Sequence, residues 1–312
     1  MLGADPAALA MAVDILRAGG LVAFPTETVF GLGADATSDA AVAKIYAAKG
    51  RPAFNPLIAH VATRAAAEQQ GVFSPQAIKL ADAFWPGPLT LVLPLAEGSS
   101  VCDLARAGLG SVALRVPSHP VAQRLLAVLG QPLAAPSANP SGRVSAVTAA
   151  HVREDFDGKI DAIIEGSVNV GVESTIVACL ADDPVMLRPG GIPRGEIEAV
   201  LGVKLRDAVP GAAINAPGMV AAHYAPRARL RLDAESLEPD EAGLDFGGRF
   251  APGSKVLDLS PRGDLTEAAA HLFAYLRRLD ERHPKIAVAR IPSEGLGEAI
   301  NDRLRRAAVG AR

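Results

Sequence analysis

Cysteine is scarce. Cys102 and Cys179 are the only two in 312 residues, and neither has a second cysteine nearby. That excludes a disulfide framework and a thiolate metal cluster, and reads as two small core residues of a reducing compartment. Net charge is nearly absent too: 31 basic residues against 34 acidic ones leave -3. Only seven of the basic residues are lysine, and neither half of the chain carries the basic excess that announces a nucleic-acid module. No apolar run approaches the ~20 residues of a membrane span, and a stretch such as Leu89–Ala96 contains Pro94. The first residues lack an early Lys or Arg and carry Asp5 and Asp14, so no signal peptide is expected. The expectation is a cytoplasmic protein away from the membrane.

Familiar catalytic signatures are missing as well. There is no G-x-x-x-x-G-K-[ST] run, no H-E-x-x-H and no G-x-S-x-G. A P-loop, a zinc protease helix and a nucleophile elbow are thereby excluded. Gly31-Leu32-Gly33-Ala34-Asp35-Ala36 imitates a dinucleotide fingerprint. Pro25 interrupts the approach, however, and no acidic strand end follows about 20 residues on.

What is present is an alternation of helix and strand signals. Asp5-Pro6 and Ser74-Pro75 predict capped helix starts, and Gly19 and Gly50 predict stops. Short apolar runs, among them Leu21–Phe24, Leu57–Val61, Thr90–Leu93, Ser111–Val116 and Thr175–Cys179, read as buried strands. They are too closely spaced for a purely parallel series. An open twisted mixed sheet covered by helices fits better. Residues 209–226, rich in Pro and Gly, break the rhythm and read as a linker. Beyond it a β-α-β-α pattern from Lys255 to Ala308 predicts a small three-layer, Rossmann-like α/β domain.

Polar segments cluster at the strand ends. Pro25–Gly33 presents hydroxyls and a carboxylate, and Lys49 and Arg51 close a helix, where dipole complementation would also suit them. Arg115 and Arg188 end strands, and Pro136–Gly142 is a polar turn. Four cations among neutral Thr, Ser and Asn groups, without a nucleophile beside a base, suit a phosphate-bearing ligand.

Seven segments occur in order: PTETVFGLG at 25–33, KGRPAFNPL at 49–57, WPGPLTLVL at 85–93, VALRVP at 112–117, PSANPSGR at 136–143, ESTI at 173–176 and LRPGGI at 187–192. Together they resemble the YrdC family of threonylcarbamoyl-AMP synthases. With Gly218-Met219 and His223–Pro226 on the linker, the chain is similar to the long form of that family. The resemblance implies a YrdC-like catalytic domain at 1–205, a linker over the active site at 206–227 and an α/β domain at 228–312. It implies an enzyme, a nucleotidyltransferase that joins L-threonine, bicarbonate and ATP and releases pyrophosphate. Mg2+ would enter with ATP, with no protein-held metal. The product would pass to a tRNA threonylcarbamoyltransferase complex, with room for a weak tRNA contact.

By the same resemblance, Lys49 and Arg51 would serve catalysis. The nucleotide would fall to them with Asn55, Ser111, Ser137, Asn139, Ser145, Arg188, His223 and Tyr224. Threonine would fall to Thr26, Thr28, His60, Arg115 and Ser174. Two alternatives share the fold. A non-catalytic RNA-binding module would lack the K-x-R and S-x-N sets, which are present here. A hydrogenase-maturation domain would follow Cys-x-x-Cys segments, which are absent.

Overall fold

The computed structural model describes residues 1–208 and 224–310. Strands β1 (Val22–Pro25), β2 (Phe30–Asp35), β3 (Ile58–His60), β4 (Leu89–Pro94), β5 (Ser111–Arg115), β6 (Leu133–Ala134), β7 (Ala162–Ile163), β8 (Thr175–Ala178), β9 (Val185–Arg188) and β10 (Arg206–Asp207) form one sheet. Its order is β10-β9-β8-β4-β5-β3-β6-β2-β1-β7, with both parallel and antiparallel neighbours. This is the open mixed sheet that the strand spacing predicts.

Helices α1 (Pro6–Arg17), α2 (Asp39–Lys49), α3 (Arg64–Glu68), α4 (Pro75–Phe84), α5 (Asp103–Arg106), α6 (Pro120–Leu129), α7 (Ala149–Phe156) and α8 (Arg194–Leu201) accompany it. Asp5 caps α1 by accepting from the amides of Ala7 and Ala8, and Ser74 caps α4 through the Ala77 amide. Both faces of the sheet are covered. Val22 and Phe24 join α1 and α6 in one apolar cluster, whereas Ala23 between them joins the cluster of α2 and α4.

Strand β2 was not expected: Pro25–Gly33 reads as a loop leaving a strand. The chain instead turns back at once, pairing Phe24 with Gly31 and Val22 with Gly33. Thr26 makes the turn, donating its hydroxyl to Val29 O (2.6 Å) and accepting from the Thr28 amide. The glycines leave room for a ring, since a Cβ on Gly33 would lie 3.0 Å from both Phe24 and Leu133. The fingerprint imitation is therefore a strand.

The second sheet is parallel throughout, ordered β11 (Arg229–Ala234), β14 (Lys285–Ala289), β12 (Ala242–Asp245), β13 (Val256–Asp258). Helices α9 (Leu265–Asp280) and α10 (Gly297–Gly310) pack on it. The sequence pattern predicts β13, α9, β14 and α10; β11 and β12 extend it. Residues 206–207, expected to open the linker, add the edge strand β10 to the first sheet. His223 and most of the linker lie outside the described residues. Among the described residues, no helix is long and apolar enough to cross a membrane.

The two sheets are joined by a continuous apolar cluster. Val29, Val144, Val147 and Val172 of the first part pack with Leu272, Phe273 and Leu276 of α9. Gly171 lies at the closest approach: its φ is +78° and a Cβ would sit 2.3 Å from Ala269 O. Gly171→Ala is expected to lose about 2 kcal/mol or more, combining backbone strain with overpacking. Gly202→Ala, with φ +73° but open space around it, is expected to lose about 1 kcal/mol. Urea midpoints of the two variants check this, and equal losses would refute the close-approach argument.

Candidate active site

A cavity in the first part is lined by Thr26, Thr28, Arg51, His60, Arg115, Ser137, Ser174, Arg188 and Tyr224. All nine belong to the expected site. Lys49, Asn55, Asn139 and Ser145 do not line it but stand behind lining residues: Lys49 donates to Ser137 O and Asn139 O, Asn55 O accepts from Arg51, and Ser145 donates to Glu173. Ser111 lies at the other end of β5 from Arg115, about 13 Å along the strand.

Local structure turns the cations inward. Gly50 ends α2 in the left-handed region (φ 59°), and the Arg51 amide returns to Tyr46 O at 3.0 Å. Lys49 and Arg51 are thus buried, at 4% and 8% exposure, rather than fanning into solvent around the helix end. Their role is not simple dipole complementation. The Lys49 ammonium donates to Ser137 O (2.6 Å) and to Asn139 O. Burial and the neighbouring Arg51 charge hold its pKa well below the ordinary lysine value. Arg51 donates to Asn55 O and Pro56 O, and burial lowers it to about 10, so it stays charged. Arg188, fully enclosed, donates to Ser174 O (2.8 Å) and Ser174 Oγ. Among the described residues, no carboxylate lies within ion-pair distance of Lys49, Arg51 or Arg188.

A second corner is charge-balanced. Arg115 pairs with Glu27 at 2.7 Å and donates to Thr28 Oγ1 at 3.0 Å, tying the end of β5 to the β1–β2 turn. Burial pushes the Glu27 carboxyl up, but the Arg115 charge and hydrogen bond outweigh it and hold the pKa below the usual range. His60 stands opposite Arg115 in the β3–β5 register. Burial, with the Arg115 charge, drops the imidazole to about 3, so the ring is neutral at physiological pH. Ser174 Oγ lies 2.7 Å from Thr90 Oγ1.

Several buried acceptors still lack a donor. Glu27 Oε2, Asn55 Oδ1 and Asn139 Oδ1 have no partner among the described residues. Buried oxygens of this kind call for a polar ligand or water. Two residues were missed as site members. Glu173, within the ESTI segment, lines the cavity. Arg303 of α10 stands behind the wall, donating to Glu173; the available signal was an arginine on the apolar stripe of Ile300, Leu304 and Ala307.

The side chains do not build a magnesium cage. Glu27 and Glu173 are taken by arginines, and among the described residues no group of three or more His, Cys, Asp or Glu could hold a metal ion. Such an ion would ride on the phosphates, and no step below runs through it.

Fold and site define an α/β protein whose cavity gathers buried cations beside a neutral histidine and a paired arginine. The comparisons with known proteins are more specific. The Sua5/YciO/YrdC family model, described as "Telomere recombination", matches residues 14–190. A second model, "Threonylcarbamoyl-AMP synthase, C-terminal domain", matches 192–309. The chain belongs to this family. It is 43% identical to the threonylcarbamoyl-AMP synthase of Pyrococcus abyssi over 95% of this chain and 93% of that protein. For the Bacillus subtilis synthase the identity is 41%, covering 97% and 93%. The crystal structure of P. abyssi Sua5 complexed with L-threonine superposes with a TM-score of 0.90 at 40% identity, over 98% of this chain and 95% of that one. Escherichia coli YciO shares the fold of the first part (TM-score 0.52, 24% identity, 58% and 88% covered).

The neutral His60 has a consequence for stability. Its pKa falls from 6.5 to about 3 on folding, so between those values the unfolded chain binds a proton that the folded one does not. Stability therefore drops as pH falls through that window, and His151, lowered to about 4, acts in the same direction. His60→Gln is expected to lose less stability than the parent between pH 7 and pH 4.5. Parallel urea titrations at the two pH values test it, and identical losses would refute the assignment.

Proposed function

We propose that this chain is an L-threonylcarbamoyladenylate synthase, acting on L-threonine, bicarbonate and ATP in the cytoplasm. The observation that carries the reading is that Arg51 and Arg188 line the cavity beside Arg115, with Lys49 held behind it on Ser137 O and within electrostatic reach of Arg51, and that none of Lys49, Arg51 and Arg188 has a carboxylate partner among the described residues. Three uncompensated cations suit a triphosphate. A fourth, oriented by Glu27 and Thr28, suits an amino-acid carboxylate, with hydroxyls nearby for its side chain.

The chemistry follows from charge. Threonine amine and bicarbonate give a carbamate with loss of water. One carbamate oxygen attacks the α-phosphorus, and the bond to the bridging oxygen breaks, so its electron pair leaves with pyrophosphate. Negative charge grows on the leaving group where Lys49, Arg51 and Arg188 converge. Phosphate contact favours protonated Lys49 and so opposes the effect of burial, which lowers its pKa. The neutral ring of His60, whose Nδ1 donates to Ile58 O at 3.3 Å, adds no charge near Arg115. The adenylate then goes to a tRNA-modifying transferase, and the chain itself makes at most a weak contact with tRNA.

Incubation with ATP, L-threonine and bicarbonate is expected to release pyrophosphate only when all three are present. Equal release without threonine would leave a plain pyrophosphatase and overturn the reading. Arg51→Ala and Lys49→Ala are each expected to lower turnover at least about tenfold, because charged hydrogen bonds are worth about 1.5–3 kcal/mol.

A further inference from the structure

We infer that the second domain supplies a positioning residue, Arg303, which reserves Arg188 for the nucleotide by occupying Glu173. The inference rests on the functional reading above and extends it to a residue 130 positions away from its partner.

Arg303 is 1% exposed, although it sits on α10. Its Nε donates to Glu173 Oε2 at 2.8 Å, and Nη1 donates to Pro189 O and to Asp302, each at 2.8 Å. The guanidinium lies over the Tyr224 ring, 5.3 Å from its centroid, and Tyr224 stacks on Phe273 of α9. The other oxygen of Glu173 accepts from Ser145 Oγ at 2.6 Å. Glu173, Ser174, Arg188 and Tyr224 all border the cavity.

Glu173 thus faces two buried arginines and one hydroxyl. Burial pushes its carboxyl up, yet Arg303, Arg188 and the Ser145 bond outweigh that and bring it to about 2. It is an anion within a cavity meant for anions. With Arg303 in place the carboxylate is neutralised from behind, and Arg188 keeps its contacts to Ser174. Without Arg303, the nearest cation able to compensate Glu173 is Arg188, which would then be drawn away from phosphate. A merely structural peg could have joined α10 to Pro189 without choosing a carboxylate of the cavity wall. Elsewhere the domains are joined by bridges that avoid the cavity, such as Arg194 to Glu298 at 2.7 Å.

The test uses the full-length chain. ATP and threonine binding by calorimetry and pyrophosphate kinetics are measured for the parent, Arg303→Met, Arg303→Lys, Glu173→Gln, Arg303→Met with Glu173→Gln, and Arg194→Met, each with its melting temperature. Arg303→Met is expected to weaken ATP at least tenfold and threonine less than threefold. Adding Glu173→Gln removes the stranded charge and is expected to return ATP affinity to within about threefold of the parent. Arg303→Lys is expected to fall between, and it keeps the test open should Arg303→Met not fold. Arg194→Met is expected to lower the melting temperature with substrate affinities unchanged. Parental ATP affinity in Arg303→Met, or no recovery in the double variant, would overturn the inference. A parent that binds ATP and threonine but forms no pyrophosphate would instead overturn the functional reading, since binding reports on Arg303 separately.

Discussion

Burying positive charge without a counter-ion is the constraint on which the rest of this structure depends. Lys49, Arg51 and Arg188 are taken out of water, and removing an ion from water is expensive unless it is paired or hydrogen-bonded. The fold meets that demand with backbone carbonyls: Ser137 and Asn139 for Lys49, Asn55 and Pro56 for Arg51, Ser174 for Arg188. Carbonyls orient a cation without neutralising it. The positive field stays available to a ligand, as a carboxylate partner would not allow.

The same logic explains why two carboxylates are present and where they sit. Glu27 fixes Arg115 in one orientation, and Glu173 holds Ser145. Each is matched by one arginine, so the cavity retains an excess of positive charge. One of those arginines comes from α10, and Arg277 of α9 holds the carbonyls of Val144 and Ser145 beside it. The second domain is therefore part of the site's electrostatics, not an appendage. Its apolar cluster with Val29, Val144 and Val172 keeps those long side chains in register with the cavity wall.

The sequence was legible where interactions are local. Caps at Asp5 and Ser74, the stop at Gly50 and the β-α-β-α rhythm near the end depend on neighbours within a few residues, and the structure matches them. Strand β2 was hidden because Gly31 and Gly33 carry no strand signal; their place is set by the Phe24 ring across the hairpin. Strand β12 was hidden by its small residues, with Gly243 again giving way to a ring, here Phe250 at 2.9 Å from a built Cβ. Nine of the expected site residues line one cavity because each stands in a motif with its own local geometry. Arg303 could not be found that way. Arg305 and Arg306 follow it in the same helix, and beyond its place on the apolar stripe only the partner Glu173, far away in sequence, gives it a role at the cavity.

Burial also settles what the substitution of such a cation means. For an exposed helix-end lysine, loss of charge would remove a small dipole term of about 0.3–1 kcal/mol. For Lys49, enclosed as it is, an apolar side chain of similar length relieves the desolvation of the charge but leaves the carbonyls of Ser137 and Asn139 without their donor, so the two effects oppose each other in the folded state. Affinity for an anion has no such offset, because a phosphate needs the charge itself. A substitution that lowers anion affinity far more than stability would mark a binding group, whereas a packing group would lose both together.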